Sequence, residues 1–146
     1  MLVEAVSNRL SASVNDLANR VSEAADLAAL VAKDALPPSP LSAFVLPLGL
    51  RPRSEGDAMA QAFLQAYDEL IGVLLVIRSP NDLSGARALP KVDALVEAVI
   101  GAIAGWGPDE EPDVFRLARG QLLPAGQGLT LYQLDFAISR QLRIIT

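Results

Sequence analysis

The chain has 146 residues, 51% of them hydrophobic, and its 12 basic and 17 acidic side chains give a net charge of −5. This composition suffices for one domain with a sizeable core and excludes global disorder. The acidic balance argues against a protein whose main task is to grip nucleic acid phosphates. The sequence contains no His and no Cys, which removes the commonest general base, thiolate nucleophiles and the commonest transition-metal ligands. We therefore expect no enzymatic activity and no cofactor, and we favour a binding or structural role.

The sequence predicts neither a secretory signal nor a membrane span. Glu4 and Arg9 interrupt the apolar residues at the start, and no basic segment precedes them. The longest uncharged apolar stretch covers residues 98–107, far short of the roughly 20 residues needed to cross a bilayer. We expect no membrane partner and a protein that begins its life in a cytoplasm.

The first third of the chain predicts two helices. Leu2, Val6 and Leu10 form one apolar stripe over residues 2–13, which is typical of an amphipathic helix. Residues 17–23 fit either a helical turn or a short strand. Residues 24–33 are rich in Ala and Leu, which favours a second helix, and the prolines at 37, 38 and 40 end it.

The middle of the chain predicts a β-hairpin. Residues 42–50 alternate as a strand that places four apolar side chains on one face. These are Phe44, Leu46, Leu48 and Leu50. Pro47 cannot donate to a strand ladder, so we expect an edge strand or a bulged one. Residues 58–78 begin with good helix formers and end as a buried strand; we favour one long strand, paired with residues 42–50 across the charged loop 51–57.

The clearest pattern is one broad apolar helical face. It consists of Leu89, Val92, Leu95, Val96, Val99, Ile100, Ile103 and Trp106. Pro90 suits the first turn of a helix, and Gly105 and Gly107 suit its end. Turn-forming residues 79–85 precede this helix, and an acidic loop, residues 107–113, follows it.

The end of the chain predicts two strands, residues 114–123 and 129–144, joined by a turn at 124–128. Alternation in the last strand turns six side chains inward, namely Tyr132, Leu134, Phe136, Ile138, Leu142 and Ile144. The whole pattern predicts a single α+β domain over residues 1–146. We expect a mostly antiparallel sheet of about four strands with helices packed on one face.

Three candidate chemical sites have simpler explanations. The acids Asp109, Glu110, Glu111 and Asp113 could hold Mg²⁺ or Ca²⁺, but their spacing is not that of a calcium loop, and a solvated loop is favoured. Asp68 and Glu69 could act as a carboxylate pair, but neighbouring residues of a strand point to opposite faces. Residues 126–128 (GQG) are too short for a phosphate-binding loop and fit a hairpin turn. We predict no catalytic, cofactor or metal residues.

The arginines form the remaining pattern, because most lie on or beside predicted strands. They are Arg51, Arg53, Arg78, Arg116, Arg119, Arg140 and Arg143. Interleaved aromatic residues, expected of a nucleic acid site, are missing. Contacts with acids of a neighbouring copy explain them better, since ring assemblies need two complementary surfaces. An apolar chain of this size also has hydrophobic surface to bury, so self-association is favoured over a monomer.

Five stretches in order resemble the tail terminator (tail completion) proteins of long-tailed bacteriophages and prophages. They are MLVEAVSNRL, RVSEAADLAALVAKDALPPSPLSAFVLPLGLRP, ALPKVDALVEAVIGAIAGWGPDE, FRLARG and LYQLDFAISRQLR. The resemblance spans nearly the whole chain and is poorest at residues 58–70.

The resemblance implies an α+β subunit that forms a ring of six copies at the head-proximal end of the virion tail. Such a ring ends polymerisation of the tail tube and then offers a surface to the head or its connector. It also implies that the loop 51–57 contacts the tube or a neighbouring subunit, and the acidic balance suits DNA that passes through the ring without specific binding. The predicted interface comprises Arg51, Arg53, Glu55, Asp57, Asp68, Glu69, Arg78, Arg116, Arg119, Arg140 and Arg143.

Two other classes of protein stay open. One is a different phage component, such as a head–tail connector or a tail-tube subunit; a tube subunit would polymerise into open-ended stacks, whereas a terminator would stop at single rings. The other is a small-molecule-binding domain, which would need a deep pocket with convergent polar groups.

Overall fold

A computed structural model describes residues 2–35, 37, 39–79, 89–123 and 128–145. Its elements are α1 (Leu2–Ser13), a 3₁₀ turn (Asn15–Leu17), β1 (Val21–Glu23), α2 (Ala24–Ala32), β2 (Leu41–Pro52), β3 (Asp57–Met59), β4 (Ala62–Arg78), α3 (Leu89–Ile103), β5 (Arg116–Leu123) and β6 (Leu129–Ile145). The strands form one sheet in the order β1-β2-β4-β6-β5, with β3 paired to β4. All pairs are antiparallel except β1 with β2.

The predicted α+β class and mostly antiparallel sheet are confirmed, but the sheet has six strands rather than about four. The two additional strands, β1 and β3, have three residues each. Such short segments cannot show a period-two pattern, which needs at least four residues to be read from a sequence. The ambiguous residues 17–23 contain both alternatives, since a 3₁₀ turn ends at Leu17 and β1 begins at Val21.

The helices lie on both faces of the sheet, which corrects the expected packing on one face. On one face, here called the helix face, α1 and α3 cover Val45, Val73 and Phe136 in the main core. On the other, here called the outer face, Leu27 and Leu30 of α2 pack with Phe44. Because β1 and β2 are parallel, the connection through α2 must cross over a face of the sheet, and nothing in the composition of α2 indicates which one.

The predicted helices are confirmed, with bounds within a few residues. The long strand predicted over residues 58–78 is also confirmed as β4, although β3 and a two-residue turn occupy its first positions. Gln61 in that turn has a φ of 67°. The predicted hairpin with β2 is present. The turns expected at 79–85 and 124–128 lie outside the described residues except for Ser79 and Gly128.

A β-bulge interrupts β2, and it corrects the expectation that four alternate residues share one face. Pro47 pairs with Ile71, but Gly49 already pairs with Leu70, so Leu48 is the additional residue. Phe44 and Leu46 precede the bulge and face outward, whereas Leu50 follows it and lies on the helix face. Gly49 has a φ of 123°, which only glycine adopts readily. From Pro47 we expect either an edge strand or a bulged strand, and both descriptions apply. The bulge follows Pro47 directly, and β1 pairs only with residues 43–45, which leaves this part of β2 at an edge of the sheet.

The sheet extends past its helices to form an arm, defined as residues 48–67 and 140–145. Alternation in β6 is confirmed, with Phe136 and Ile138 fully buried. Leu142 and Ile144 lie on the same face but are 37% and 48% exposed, so the expectation that they point into a core is wrong. The helix cover ends near Glu69 and Arg140, and the alternation continues beyond it. No helix among the described residues has the length and apolar character to span a membrane.

Candidate interaction site

A buried carboxylate, Asp68, lies at the base of the arm on the outer face of the sheet. Its side chain is 4% exposed and is surrounded by three arginines. Oδ2 accepts hydrogen bonds from Arg116 Nη2 at 2.6 Å and Arg51 Nη2 at 3.3 Å. Arg53 Nε lies 3.8 Å from Oδ1. The three guanidinium groups are about half exposed, so their outer edges remain open to a partner.

Ser139 connects the same groups through its hydroxyl. It donates to Asp68 Oδ1 at 3.2 Å and lies within hydrogen-bond distance of Arg53 Nη1 at 2.8 Å and Arg116 Nη1 at 3.2 Å. These five residues, here called the Asp68 cluster, hold three positive charges against one negative charge. The buried carboxylate fixes the arginines in place and leaves a positive surface.

The arginines keep Asp68 ionised. Burial by itself raises the pKa of a carboxyl group. Hydrogen bonds from Arg116, Arg51 and Ser139 and the charge of Arg116 outweigh that effect, and the pKa of Asp68 lies below its usual value. An ionised carboxylate held by arginines is a weak base, so Ser139 gains no nucleophilic character from its contact with Asp68.

Glu69 lies on the opposite face, as its position next to Asp68 in a strand predicts. Its Oε1 accepts a hydrogen bond from Arg140 Nη1 at 3.0 Å. Arg140 Nη2 also lies 3.4 Å from Glu111 Oε1, which ties the acidic loop to the helix face of the sheet. The two carboxylates therefore do not form an acid–base pair.

The acidic loop exposes Asp109, Glu110 and Asp113 to solvent. The Asp113 carboxylate accepts a hydrogen bond from the Val114 backbone amide. In the described ranges, no group of three such side chains converges where it could hold a metal ion.

The structure separates the predicted interface residues into several places. It brings Arg51, Arg53, Asp68 and Arg116 together within one subunit, and Glu69 and Arg140 together on the other face. Arg78 donates to the Pro37 carbonyl at 3.0 Å, away from both groups. The residues that remain exposed without such contacts in the described part of the chain are Glu55, Asp57, Arg119 and Arg143.

Two members of the site were missed in the sequence. Ser139 appears there only as one outward residue of an alternating strand, and Glu111 only as one acid of a loop. Pairing of β4 with β6 sets Ser139 beside Asp68, 71 residues away in sequence, and no local pattern contains that information.

Apolar side chains are exposed along the arm. They are Leu48, Leu50, Met59, Leu142, Ile144 and Ile145, with exposures between 37% and 73%. On the helix face, Leu50, Pro52, Tyr67 and Leu142 line a shallow groove. Beyond the helices, this end of the sheet carries apolar surface that none of the described residues of the subunit covers.

The outer edge of β6 is also open. β5 pairs with β6 only between Leu131 and Ala137, so in the described subunit no strand pairs with that edge over residues 138–145. This segment has no proline and no bulge, two of the devices that prevent an edge from pairing, although it carries the charged side chains of Arg140 and Arg143. The opposite edge of the sheet, formed here by β2, has Pro47, Pro52 and a bulge.

The family comparison agrees with a protein that works through such surfaces. The model of the family described as phage tail terminator protein matches residues 1–146, the whole chain. No curated protein matches the chain. The resemblance seen in the sequence is thereby confirmed: the chain belongs to the phage tail terminator family and is a structural component of a bacteriophage tail.

Proposed function

We propose that the protein forms a ring of six copies that caps the tail tube, ends its polymerisation and then provides the surface for head–tail joining. The observation that carries this proposal is the family match over the whole chain. The partners are further copies of the chain, the tail tube protein and a head–tail connector protein. The ring assembles in the host cytoplasm and resides at the head-proximal end of the tail, and it acts through surfaces rather than through catalysis.

The arm supports the proposal because its apolar surface is left uncovered by the described residues of its own subunit. Six large apolar side chains lie exposed there, three on each face of the sheet, whereas monomeric proteins mostly scatter such residues singly. The open edge of β6 offers unpaired backbone donors and acceptors beside them. Contact with a neighbouring subunit or with the tube would remove both from water.

Residues 51–57, predicted as a charged loop, comprise the end of β2 at Pro52, a four-residue connection and the start of β3 at Asp57, and in the arm they can reach the tube or a neighbour. Arg51 and Arg53 also hold Asp68, so their removal would affect the fold. The exposed acids Glu55 and Asp57 test the loop more cleanly. If Glu55→Ala/Asp57→Ala protein caps tubes as well as the unaltered protein, these acids do not contribute to the contact.

The net charge of −5 supports a ring that DNA crosses without being held. Duplex DNA binds proteins chiefly through its phosphates, and an acidic subunit does not favour such contacts. A gel-shift titration of the rings with duplex DNA at about 150 mM salt should show no complex. Tight, salt-sensitive binding would contradict this part of the proposal.

Native mass spectrometry and negative-stain imaging of the protein, alone and with purified tail tubes, test the main proposal. We expect a mass of six subunits and closed rings at tube ends, with tubes that stop growing. A stable monomer that ignores tubes contradicts the proposal, and open-ended stacks of the protein indicate a tube subunit instead.

An arm variant sharpens this experiment. Ile144→Glu/Ile145→Glu places two charges on the exposed apolar arm, and it should abolish capping while the monomer stays folded. Val31→Glu is the matched control, because Val31 is 71% exposed but lies on α2, away from the arm. Equal capping by the arm variant and the control would show that the arm is not a contact surface.

A further inference from the structure

The two faces of the sheet have opposite charge at the same position along it. We infer that the outer face of one copy docks on the acidic loop, with its exposed Asp109 and Glu110, of a second copy. This inference rests on the proposed ring and adds which surfaces meet within it. Rings need two different complementary surfaces on each subunit, and the chain presents such a pair.

The outer face around the base of the arm is positive. Five arginines share it, namely Arg51, Arg53, Arg116, Arg119 and Arg143. Three aspartates lie on the same face, namely Asp57, Asp68 and Asp135. The local excess is two positive charges in a chain whose net charge is −5, so the remaining surface is more acidic than the composition suggests.

Two β-bulges create this positive face. The bulge at Leu48 brings Arg51 opposite Asp68, where an unbroken strand would have turned it to the helix face. The bulge at Ala118 brings Arg119 opposite Asp135, so that it shares a face with Arg116. Bulges re-aim side chains in this way at functional surfaces.

Arg119 and Arg143 are the arginines available to a partner. Both are exposed, and in the described ranges neither lies within ion-pair distance of a carboxylate. Arg51, Arg53 and Arg116 instead hold Asp68. The face therefore combines a fixed positive base with two exposed arginines, which lie far apart along the sheet: Arg119 is opposite Asp135, and Arg143 is eight positions further along β6, towards the tip of the arm.

The acidic loop is presented in a fixed position on the other face. Arg140 binds Glu111 and Glu69 and so anchors the loop to the sheet. Gly107 approaches the Asp113 carbonyl so closely that a Cβ atom would clash there. Asp109 and Glu110 remain exposed, and no basic side chain of the described residues lies within ion-pair distance of them.

Consecutive residues of β4 link the two surfaces. Asp68 belongs to the positive face, and Glu69 binds the arginine that anchors the acidic loop. The surfaces thus lie back to back across one sheet, and copies arranged in succession bring a positive face against a negative loop at each contact. Charge complementarity of this kind selects the orientation of docking more than it sets affinity.

Charge reversal tests the pairing. One variant is Arg119→Glu/Arg143→Glu and the other is Asp109→Arg/Glu110→Arg; all four positions are exposed, so both should fold. Each alone should need at least about tenfold more protein for half-assembly, since like charges then face each other. An equimolar mixture should restore rings, because both kinds of contact between the two variants pair opposite charges. The chain that combines all four substitutions should also assemble.

Controls carry the same charge changes elsewhere. Arg20→Glu/Lys33→Glu and Asp93→Arg/Glu97→Arg reverse exposed charges near α2 and on α3, and they should assemble as the unaltered protein does. Assembly is measured by native mass spectrometry and by the fraction of capped tubes.

An engineered cysteine pair gives an independent readout. Since the chain has no cysteine, Asp109→Cys/Arg119→Cys should form ladders of disulfide-linked copies, whereas each single variant should not. If the unaltered protein forms rings and both reversal variants form them equally well, the pairing of these surfaces is wrong but the proposed ring stands. Unaltered protein that stays monomeric even on tubes would contradict the ring and the pairing with it. Loss of tube capping with intact rings would assign the outer face to the tube.

Discussion

Replacement of Asp68 by asparagine tests whether the Asp68 cluster stabilises the subunit. The amide keeps the size of the side chain and one acceptor oxygen but removes the charge that holds three arginines. Breaking a buried ion pair costs about 3–5 kcal/mol of unfolding free energy. The arginines here are 46–57% exposed and can return to water, so we expect a smaller loss of roughly 2–3 kcal/mol.

The assay is urea denaturation followed by the fluorescence of the only tryptophan, Trp106, which stacks on Phe115 with ring centroids 5.9 Å apart. Protein concentration is held fixed, since association shifts apparent stability. Asp135→Asn is the matched control, because Asp135 lies on the same face but its recorded contact is a hydrogen bond from Gln133. The control should lose less than about 0.5 kcal/mol.

The pH dependence provides a second signature. Because the pKa of Asp68 is lowered in the folded state, its stabilisation is complete above the unfolded pKa of about 4 and is lost as the pH falls through the folded value. The stability difference between the unaltered protein and Asp68→Asn should therefore be constant near neutrality and shrink below about pH 4. A loss under about 0.5 kcal/mol at pH 7, or a difference that does not shrink in acid, would refute the reasoning.

Three further substitutions test individual contacts by the same urea assay. Arg9→Met should lower the free energy of unfolding by roughly 1–2 kcal/mol, because two contacts are lost. The Arg9 guanidinium lies 5.2 Å from the centre of the Trp106 ring, and its Nε donates to the Ala102 carbonyl near the end of α3 at 3.0 Å. An unchanged urea midpoint would show that neither contact matters. Gly49→Ala should lower the free energy of unfolding by about 1–2 kcal/mol. The φ of Gly49 is 123° and an added Cβ would meet no neighbouring atom, so the loss comes from backbone strain and not from a clash. Gly101→Ala, exposed in α3 with equal space around it, should stabilise by about 0.5–1 kcal/mol; a loss there would contradict the helix assignment.

The periodicity of apolar residues predicts an element of this fold where one side of the element is buried and the segment is long enough for the period to appear in the sequence. α3 has a broad apolar stripe, and β4 keeps its alternation through a segment with helix-like composition. That composition did not decide the outcome because β2 and β6 flank β4 on both edges. Tertiary pairing overrides a weak local preference for helix. β1 and β3 were missed because three residues contain no period.

The interface residues were predicted by type but not by arrangement, and the bulges explain why. An unbroken period of two puts Arg116 and Arg119 on opposite faces and turns Arg51 away from Asp68, which would leave a buried carboxylate without its cations. One additional residue in each strand reverses these positions. The sequence signs of a bulge are weak, here a proline and a glycine on either side of Leu48 and, at the second bulge, only the small Ala118 itself and Gly120. A side chain at a bulge is therefore assigned to a face only by its pairing partner, here Asp68 for Arg51 and Asp135 for Arg119, and the alternation within a single strand does not contain that register.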